Sequence, residues 1–209
     1  MADLIQLSAA DLAALLCSRV CHDLISPVGA INNGLELLDE GGSDAEAMDL
    51  IRQSARNASA RLQFARIAFG AAGSAGMLID TGDAETVARA YMASEKPEFI
   101  WTGVRALLPK NKVKLLLNLI LVANGAIPRG GKLSVTLEDL ETQPKFTLVS
   151  SGALLRIPPK FLELHTTGRL EETIDAHAVQ PYYTLFLARE AGMAVQAVAT
   201  AEAITFTAS

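Results

Sequence analysis

An apolar repeat with alternating steps of four and three residues runs through two neighbouring segments of the chain. In the first segment the repeat consists of Cys17, Cys21, Leu24, Val28, Ile31, Leu35 and Leu38. In the second it consists of Ile51, Ala55, Ala58, Leu62, Ala65 and Phe69. Such a period puts the apolar residues on one stripe of an α-helix, as in helices that pack at shallow angles. The repeat therefore predicts two long helices, each with a stripe that needs a partner surface.

The connection between the two repeats is short and carries helix-boundary signals. Gly41 and Gly42 predict the end of the first helix. Ser43 and Glu46 have the spacing of a capping box that begins the second. We therefore expect an antiparallel hairpin. Because two helices cannot enclose a core, either two hairpins form a homodimeric four-helix bundle, which is the more economical arrangement, or the hairpin packs onto the rest of its own chain.

A stretch of small residues, 70–76, predicts a linker that separates a hairpin domain (1–72) from a second domain (77–209). The second domain mixes apolar helical segments with alternating strand segments. We expect, in chain order, helix 83–93, strand 98–104, helix 109–126, strands 132–140 and 145–150, helices 158–164 and 178–191, and strands 193–199 and 203–207. This order predicts an α+β fold with a mixed sheet covered by helices on one face.

Composition narrows the class of function. The chain has 18 Lys and Arg against 23 Asp and Glu, a net charge of −5, which argues against general nucleic-acid binding. The sequence contains no run of about 18 uncharged apolar residues and no basic N-terminal signal region, so we expect no membrane span and a cytoplasmic location. Zinc would need a fourth ligand besides Cys17, Cys21 and a histidine, and His165 and His177 are far away in sequence. The two cysteines are therefore interpreted as core residues and not as a metal site.

His22 lies one residue beyond the repeat, about 100° around the helix from Cys21, so it is expected to point away from the bundle centre. Its neighbours three and four residues away are Ser18, Arg19, Ile25 and Ser26. An accessible neutral imidazole is a good nucleophile near pH 7, and the carboxylate of Asp23 can orient it. Without the neighbouring Asp23 and the predicted hairpin, His22 would be interpreted as a solvated surface histidine. His165 is predicted to lie in a surface loop, and neither it nor His177 has sequence neighbours that indicate catalysis.

The segment from His22 to Pro27 (His-Asp-Leu-Ile-Ser-Pro) resembles the H-box of two-component histidine kinases. The longer stretch 21–38 is similar to the ChpT family of histidine phosphotransferases from alphaproteobacterial cell-cycle phosphorelays, and the chain length and two-part layout agree. The resemblance implies a homodimer in which His22 is the phosphoacceptor and Asp23 supports it. The dimer interface would then be formed by Leu24, Val28, Ile31, Leu35 and Leu38.

The same resemblance implies partners. These would be receiver domains of a CckA-like hybrid kinase and of CtrA-like and CpdR-like response regulators, each bringing its own Mg²⁺, so that the chain needs no cofactor or metal of its own. A receiver that reaches His22 must pack over the surrounding helix surface. That surface consists of Ser18, Arg19, Ser26 and Gly29. We interpret Ser26 as a small residue that lets the partner approach, and Arg19 as a candidate partner for a receiver acid or the phosphoryl group.

By the same resemblance, the second domain is expected to be a degenerate relative of the kinase ATP-binding domain. Asn118 matches the first asparagine of the family's N-box, but Val122 replaces the Mg-binding asparagine and Asn124 comes two residues late. Ser150 replaces the aspartate that would bind adenine. Residues 180–183 (Gln-Pro-Tyr-Tyr) stand where a glycine-rich phosphate loop would precede the last helix. We therefore expect no autophosphorylation from ATP.

The sequence thus favours a histidine phosphotransferase that relays a phosphoryl group between receiver aspartates through phosphohistidine at His22. Two alternatives remain open at this stage. One is an ATP-dependent sensor kinase with a divergent nucleotide pocket. The other is a non-enzymatic adaptor or kinase inhibitor that uses the hairpin only for docking, and in that case an altered His22 would leave function intact.

Overall fold

The computed structural model describes residues 4–41, 44–70 and 78–209. The described residues form an N-terminal helical hairpin followed by an α+β domain, as predicted. From the N-terminus the elements are α1 (Ala9–Asp39), α2 (Asp44–Ala68), β1 (Leu78–Asp80), α3 (Thr81–Met92), β2 (Glu98–Thr102), β3 (Leu107–Pro109), α4 (Lys110–Gly125), β4 (Lys132–Glu138), β5 (Lys145–Ser151), α5 (Pro159–Thr167), α6 (Val179–Glu190), β6 (Val195–Ala199) and β7 (Ile204–Ala208).

The hairpin forms where the apolar repeat predicts it. The hydroxyl of Ser8 accepts a hydrogen bond from the backbone N–H of Asp11 at 3.1 Å and caps the start of α1. After α1 ends, Gly41 adopts a left-handed conformation with φ +75°, as the predicted stop requires. Gly34 is buried where α1 meets α2, and a Cβ there would lie 2.6 Å from Cγ1 of Ile51. Glycine therefore permits the two helices to approach closely.

Two predicted features lie outside the described residues. The capping box depends on Ser43, and Gly42 precedes it, so neither residue is described. The same holds for residues 71–76 of the predicted linker. The division of the chain into 1–72 and 77–209 accordingly stays a prediction.

The main sheet of the second domain is mixed, as predicted. Its strand order is β2-β4-β5-β7-β6, with β2 parallel to β4 and the other neighbours antiparallel. The strands β1 and β3 form a separate antiparallel pair that the sequence did not predict, because three residues are too short to show a strand period. Helix α3 begins two residues before its predicted start, since the carboxylate of Asp80 accepts a hydrogen bond from the N–H of Gly82 at 2.8 Å.

One apolar core joins the hairpin to the second domain. Helix α4 lies at its centre, with most of its residues buried. The side chains of Phe64, Ile67 and Ala68 from the C-terminal half of α2 belong to the same buried cluster. The hairpin therefore packs onto its own C-terminal domain, which is the second of the two arrangements considered above. Of the predicted α2 stripe only Phe69, at its C-terminal end, packs against this core, and the buried contact is made mainly by residues outside the stripe.

The predicted stripe on α1 remains open in the single chain. We call Leu24, Val28, Ile31, Leu35 and Leu38 the α1 stripe. Val28 is 46% exposed and Leu35 48% exposed, while the other three are only partly buried. On α2, Leu62 is 54% exposed. Because these apolar side chains point away from the shared core, their own chain leaves them uncovered.

The cysteines lie on the same open face. Cys17 and Cys21 are both exposed, so their interpretation as core residues is wrong for the single chain. Neither cysteine belongs to the shared core or to the partly buried residues that pack against it. By length and apolar composition α1 also reaches the threshold of a membrane-spanning helix, a test that core helices and signal sequences pass too. The expected absence of a membrane span therefore stays a prediction.

Candidate functional site

The imidazole of His22 is open to solvent on α1, with 57% of its side chain exposed. Its Nδ1 lies 3.4 Å from Oδ1 of Asp23, the next residue along the helix. A carboxylate oxygen at this position can only accept, so the contact favours the tautomer that carries its proton on Nδ1. In that tautomer the Nε2 lone pair is free to attack an electrophile.

Asp23 is itself held in place by a cation. Its Oδ2 accepts a hydrogen bond from Nε of Arg19 at 2.9 Å, one helical turn away, and both side chains are about one-fifth exposed. The chain of contacts from Arg19 through Asp23 to His22 orients the imidazole from one side. Arg19, which the sequence suggested as a docking residue, is thus engaged within its own helix.

Small residues surround His22 on the outer face of α1. Ser18 and Ser26, each four residues from His22, are exposed. At Gly29, which is partly exposed, a Cβ would meet no atom within 4 Å. The structure therefore leaves open space over the helix surface that the sequence proposed for docking.

A second histidine, His177, lies against His22. The two ring centroids are 4.8 Å apart and the rings are inclined at 80°, an edge-to-face contact. The sequence neighbours of His177 do not indicate catalysis, but the fold brings its ring against His22. Sequence reasoning missed this residue because almost the whole chain separates it from His22, and no local motif marks it. The available signal was its position just before the segment that replaces the phosphate loop.

His165 also differs from its prediction. It lies in α5, partly buried, and not in a surface loop. Its Nε2 lies 2.8 Å from the carbonyl oxygen of Val195, and its ring stacks on Phe161 with centroids 5.7 Å apart. These contacts tie α5 to the sheet, which is a structural role.

A cleft of about 480 Å³ opens between the hairpin and the second domain. It lies beside His22, since both Arg19 and His177 line it. The other lining residues include Arg61, Tyr91, Glu95, Val122, Asn124, Gly125, Lys160, Gln180 and Pro181. The cleft thus contains several of the positions where a kinase of the resembled family would hold nucleotide. We call it the interdomain cleft.

Polar groups within the interdomain cleft pair with one another. The carboxylate of Glu95 accepts from NH2 of Arg61 at 2.8 Å and from Nδ2 of Asn124 at 3.0 Å. Tyr91 lies beneath Arg61, and its burial raises the pKa of the phenol to about 12. Because Arg61 and Asn124 are both bonded to Glu95, the N-box asparagine that comes two residues late braces α4 against α2 and against the turn that follows α3.

The other degenerate nucleotide positions are also structural contacts. The buried Asn118 donates through Nδ2 to the carbonyl oxygen of Ala68 at 3.1 Å, which joins α4 to α2. The buried hydroxyl of Ser150 donates to the carbonyl oxygen of Ala123 at 2.8 Å. Gln180 donates to the carbonyl oxygen of Asn118 at 2.9 Å. Residues 180–183 lie in the first turns of α6, inside the helix predicted over 178–191, and all four are buried.

Among residues 4–41, 44–70 and 78–209, no group of three or more His, Cys, Asp and Glu side chains is placed to hold a metal ion. The interdomain cleft brings together cations and acids that are already paired, and His22 stands at its edge with one nitrogen free. This arrangement suits nucleophilic attack on an electrophile that another molecule presents.

The chain is similar to known phosphotransferases. Residues 81–203 match the family model of the histidine phosphotransferase C-terminal domain. The chain is 69% identical to the protein phosphotransferase ChpT of Brucella abortus (strain 2308) over 204 residues, which cover 98% of each chain. It also aligns with a solved structure of a bacterial phosphotransferase at a TM-score of 0.93 and 67% identity, over 98% of each chain. The catalytic domain of histidine kinase ThkA aligns with 63% of this chain at 16% identity and a TM-score of 0.44.

Proposed function

Because this chain belongs to the histidine phosphotransferase family, we propose that it relays a phosphoryl group between receiver-domain aspartates through phosphohistidine at His22, in a cell-cycle phosphorelay. The observation that supports this proposal is the exposed imidazole of His22, whose Nδ1 faces Asp23 and whose Nε2 makes no hydrogen bond to any other residue that the structure describes.

The proposed step begins with the Nε2 lone pair of His22, which attacks the phosphorus of an aspartyl phosphate in line. A P–N bond forms while the P–O bond to the receiver breaks, and the aspartate leaves as a carboxylate. The imidazole keeps its Nδ1 proton and becomes positively charged, and the carboxylate of Asp23 stabilises that charge. The reverse step transfers the phosphoryl group to the aspartate of a second receiver.

We further propose that the receiver supplies the Mg²⁺ that neutralises the phosphoryl oxygens. The receiver would dock over Ser18, Ser26 and Gly29, where the structure has small side chains and open space. Arg19 would contribute mainly through Asp23, which it already contacts. By resemblance, the partners are receivers of a CckA-like hybrid kinase and of CtrA-like and CpdR-like regulators, and the protein acts in the cytoplasm.

The proposed assembly is a homodimer formed by the α1 stripe. Val28, Leu35 and Leu62 are about half exposed in one chain, and their exposure on adjoining helices costs free energy in water. A second copy would cover them by forming a four-helix bundle from two hairpins. This face lies apart from the interface between α2 and the second domain, so dimerisation and that packing are compatible.

The test is incubation with a receiver that carries a labelled aspartyl phosphate and Mg²⁺. We expect acid-labile, base-stable label on the parent protein and none on His22→Ala, because the proposed step forms its P–N bond at Nε2 of His22. The variant should retain its helical circular dichroism and its mass in light scattering, since His22 is exposed. Acid-labile label retained on His22→Ala would contradict the assignment, and a relay that works without His22 would favour the adaptor alternative.

A further inference from the structure

The segment that carries His177 is fixed to the second domain by Asp175. The carboxylate of Asp175 accepts hydrogen bonds from the backbone N–H groups of Ala178 at 2.7 Å and His177 at 3.0 Å. It also contacts Nζ of Lys160 at 3.2 Å. The bond from Ala178, with help from Lys160 and His177, holds the pKa of Asp175 below its usual range, so the anchor stays ionised at neutral pH. The backbone of His177 is therefore held at the start of α6.

Helix α6 is in turn fixed to the centre of the molecule. Gln180, in its first turn, is buried and bonded to the backbone of Asn118 in α4. Asn118 also bonds to the last residue of α2, Ala68. A continuous set of hydrogen bonds thus runs from the hairpin through α4 to the segment beside His22. His177 reaches the phosphoacceptor from a rigid support, although its own side chain is exposed.

Asp23 alone does not fix the His22 ring. Its single contact of 3.4 Å to Nδ1 is long for a hydrogen bond, and 57% of the His22 side chain is exposed, so the imidazole retains freedom about its side-chain torsions. The edge-to-face contact with His177 supplies a second restraint from another direction. In-line attack depends on the direction of the Nε2 lone pair, so a restraint on the ring raises the fraction of encounters that react.

We propose that His177 is a positioning residue for phosphoryl transfer: its ring, carried by the second domain, holds the imidazole of His22 in the orientation that presents Nε2 to a receiver. This inference rests on the proposed function and extends it. It also gives the degenerate ATP-binding-like domain a role in the relay, because the segment just before α6 carries an imidazole to the phosphoacceptor of the same chain.

The experiment compares His177→Ala with His177→Phe in the full chain. Single-turnover transfer from a phosphorylated receiver is followed over a range of receiver concentrations. We expect His177→Ala to lower the maximal rate by about two- to tenfold, the range given by the loss of one aromatic pair. The receiver concentration that gives half the maximal rate should not change, because docking is unaffected. His177→Phe should restore most of the rate, since it keeps a ring at this position.

Two further variants make the result specific. Thr173→Ala changes an exposed residue of the same connection, has no contact with His22, and should match the parent. Asp175→Ala removes the anchor of the His177 segment and should slow transfer as His177→Ala does. The double variant should be no slower than the slower single variant, because both changes remove the same contact between His177 and His22.

The outcomes separate this inference from the proposed function. If the parent protein takes no label on His22, the proposed function itself fails. If the parent is labelled and His177→Ala transfers at the parent rate, only the positioning role fails. A faster His177→Ala would also overturn it and would show that His177 shields His22. Loss of rate in both His177→Ala and His177→Phe would exclude ring contact as the cause.

Discussion

Helices α1 and α4 are both apolar, but they bury their side chains to opposite degrees. Only Pro27 and Gly34 are buried along the 31 residues of α1, whereas ten of the 16 residues of α4 are buried. Helix α4 completes its packing within one chain. Helix α1 exposes much of its apolar stripe, both cysteines and the imidazole of His22 to solvent. This difference in burial is what the proposed roles require: an exposed α1 that contacts other molecules and a second domain that supports the hairpin.

One large expected effect concerns α4, the helix that completes its packing within one chain. Truncation of the fully buried Leu116 to Ala should cost about 2–5 kcal/mol of unfolding free energy, because it leaves a cavity in the shared core. Since this core lies within one chain, the loss should not depend on protein concentration. Denaturant titrations at two protein concentrations a hundredfold apart provide the measurement. A loss of unfolding free energy that changes with protein concentration would contradict the view that α4 completes its packing within one chain.

The matched change on α1 is Leu35→Ala. In the proposed dimer Leu35 becomes buried, and its loss should cost about 2–4 kcal/mol per side chain, counted twice in a symmetric interface. In the single chain, where Leu35 is 48% exposed, the cost should be much smaller. Val28→Ala should behave likewise. Light scattering tests whether the parent protein is a dimer, and a mass near that of one 22.1 kDa chain would rule out the dimeric four-helix bundle.

The open surface around His22 can be tested by adding bulk. Gly29→Trp and Ser26→Trp should slow transfer by at least about tenfold, because either side chain would occupy the space a receiver needs. The dimer should persist in both variants. Glu202→Trp, in the exposed turn between β6 and β7, is the control and should transfer normally. Parent-like rates in both tryptophan variants would place receiver docking elsewhere.

Arg19→Ala should have a smaller effect, because Arg19 acts by holding Asp23. An ion pair between partly exposed side chains is typically worth under about 1 kcal/mol, so we expect the transfer rate to fall by about fivefold or less.

The isomer of phosphohistidine, read by ³¹P magnetic resonance, tests the role of Asp23 more directly. Phosphorylation should remain at Nε2, and a predominant Nδ1 product in the parent protein would contradict the role given to Asp23.

The smallest expected effect is that of nucleotide. Mg-ATP at 100 times a dissociation constant would add about 2.7 kcal/mol to stability and raise the melting temperature. We expect no shift at millimolar Mg-ATP, because Ser150, Gln180 and Asn124 are committed to internal hydrogen bonds. A clear rise would revive the ATP-dependent kinase alternative.

The fold was largely predictable because its long elements carry strong periods. The helices of the hairpin and the strands of the main sheet lie where apolar spacing indicates. The pair of three-residue strands, β1 and β3, was not predictable, since their pairing depends on tertiary contacts. The sequence also did not reveal which face of α2 is buried. That helix has apolar residues on two faces, and the shared core selects the one with Phe64 and Ile67.

The candidate site, like the fold, was predictable only in part. His22 and Asp23 are adjacent in sequence, so helix geometry and motif resemblance were enough to bring them together. His177 reaches them only through the packing of α6 on α4, which no local pattern encodes. The exposure of Cys17 and Cys21 likewise depends on which side of α1 faces the second domain.

The shared core has a consequence for modularity. Because Phe64, Ile67 and Ala68 complete the apolar cluster around α4, cutting the chain at residues 71–76 would divide a single cohesive unit. The N-terminal segment adds to this cohesion, since the backbone N–H of Ile5 donates to the carbonyl oxygen of Gly168 at 2.9 Å. The hairpin therefore cannot be moved by itself. A chimaera that joins it to another domain would need a new partner surface for the buried face of α2, so the hairpin and the second domain should be kept together.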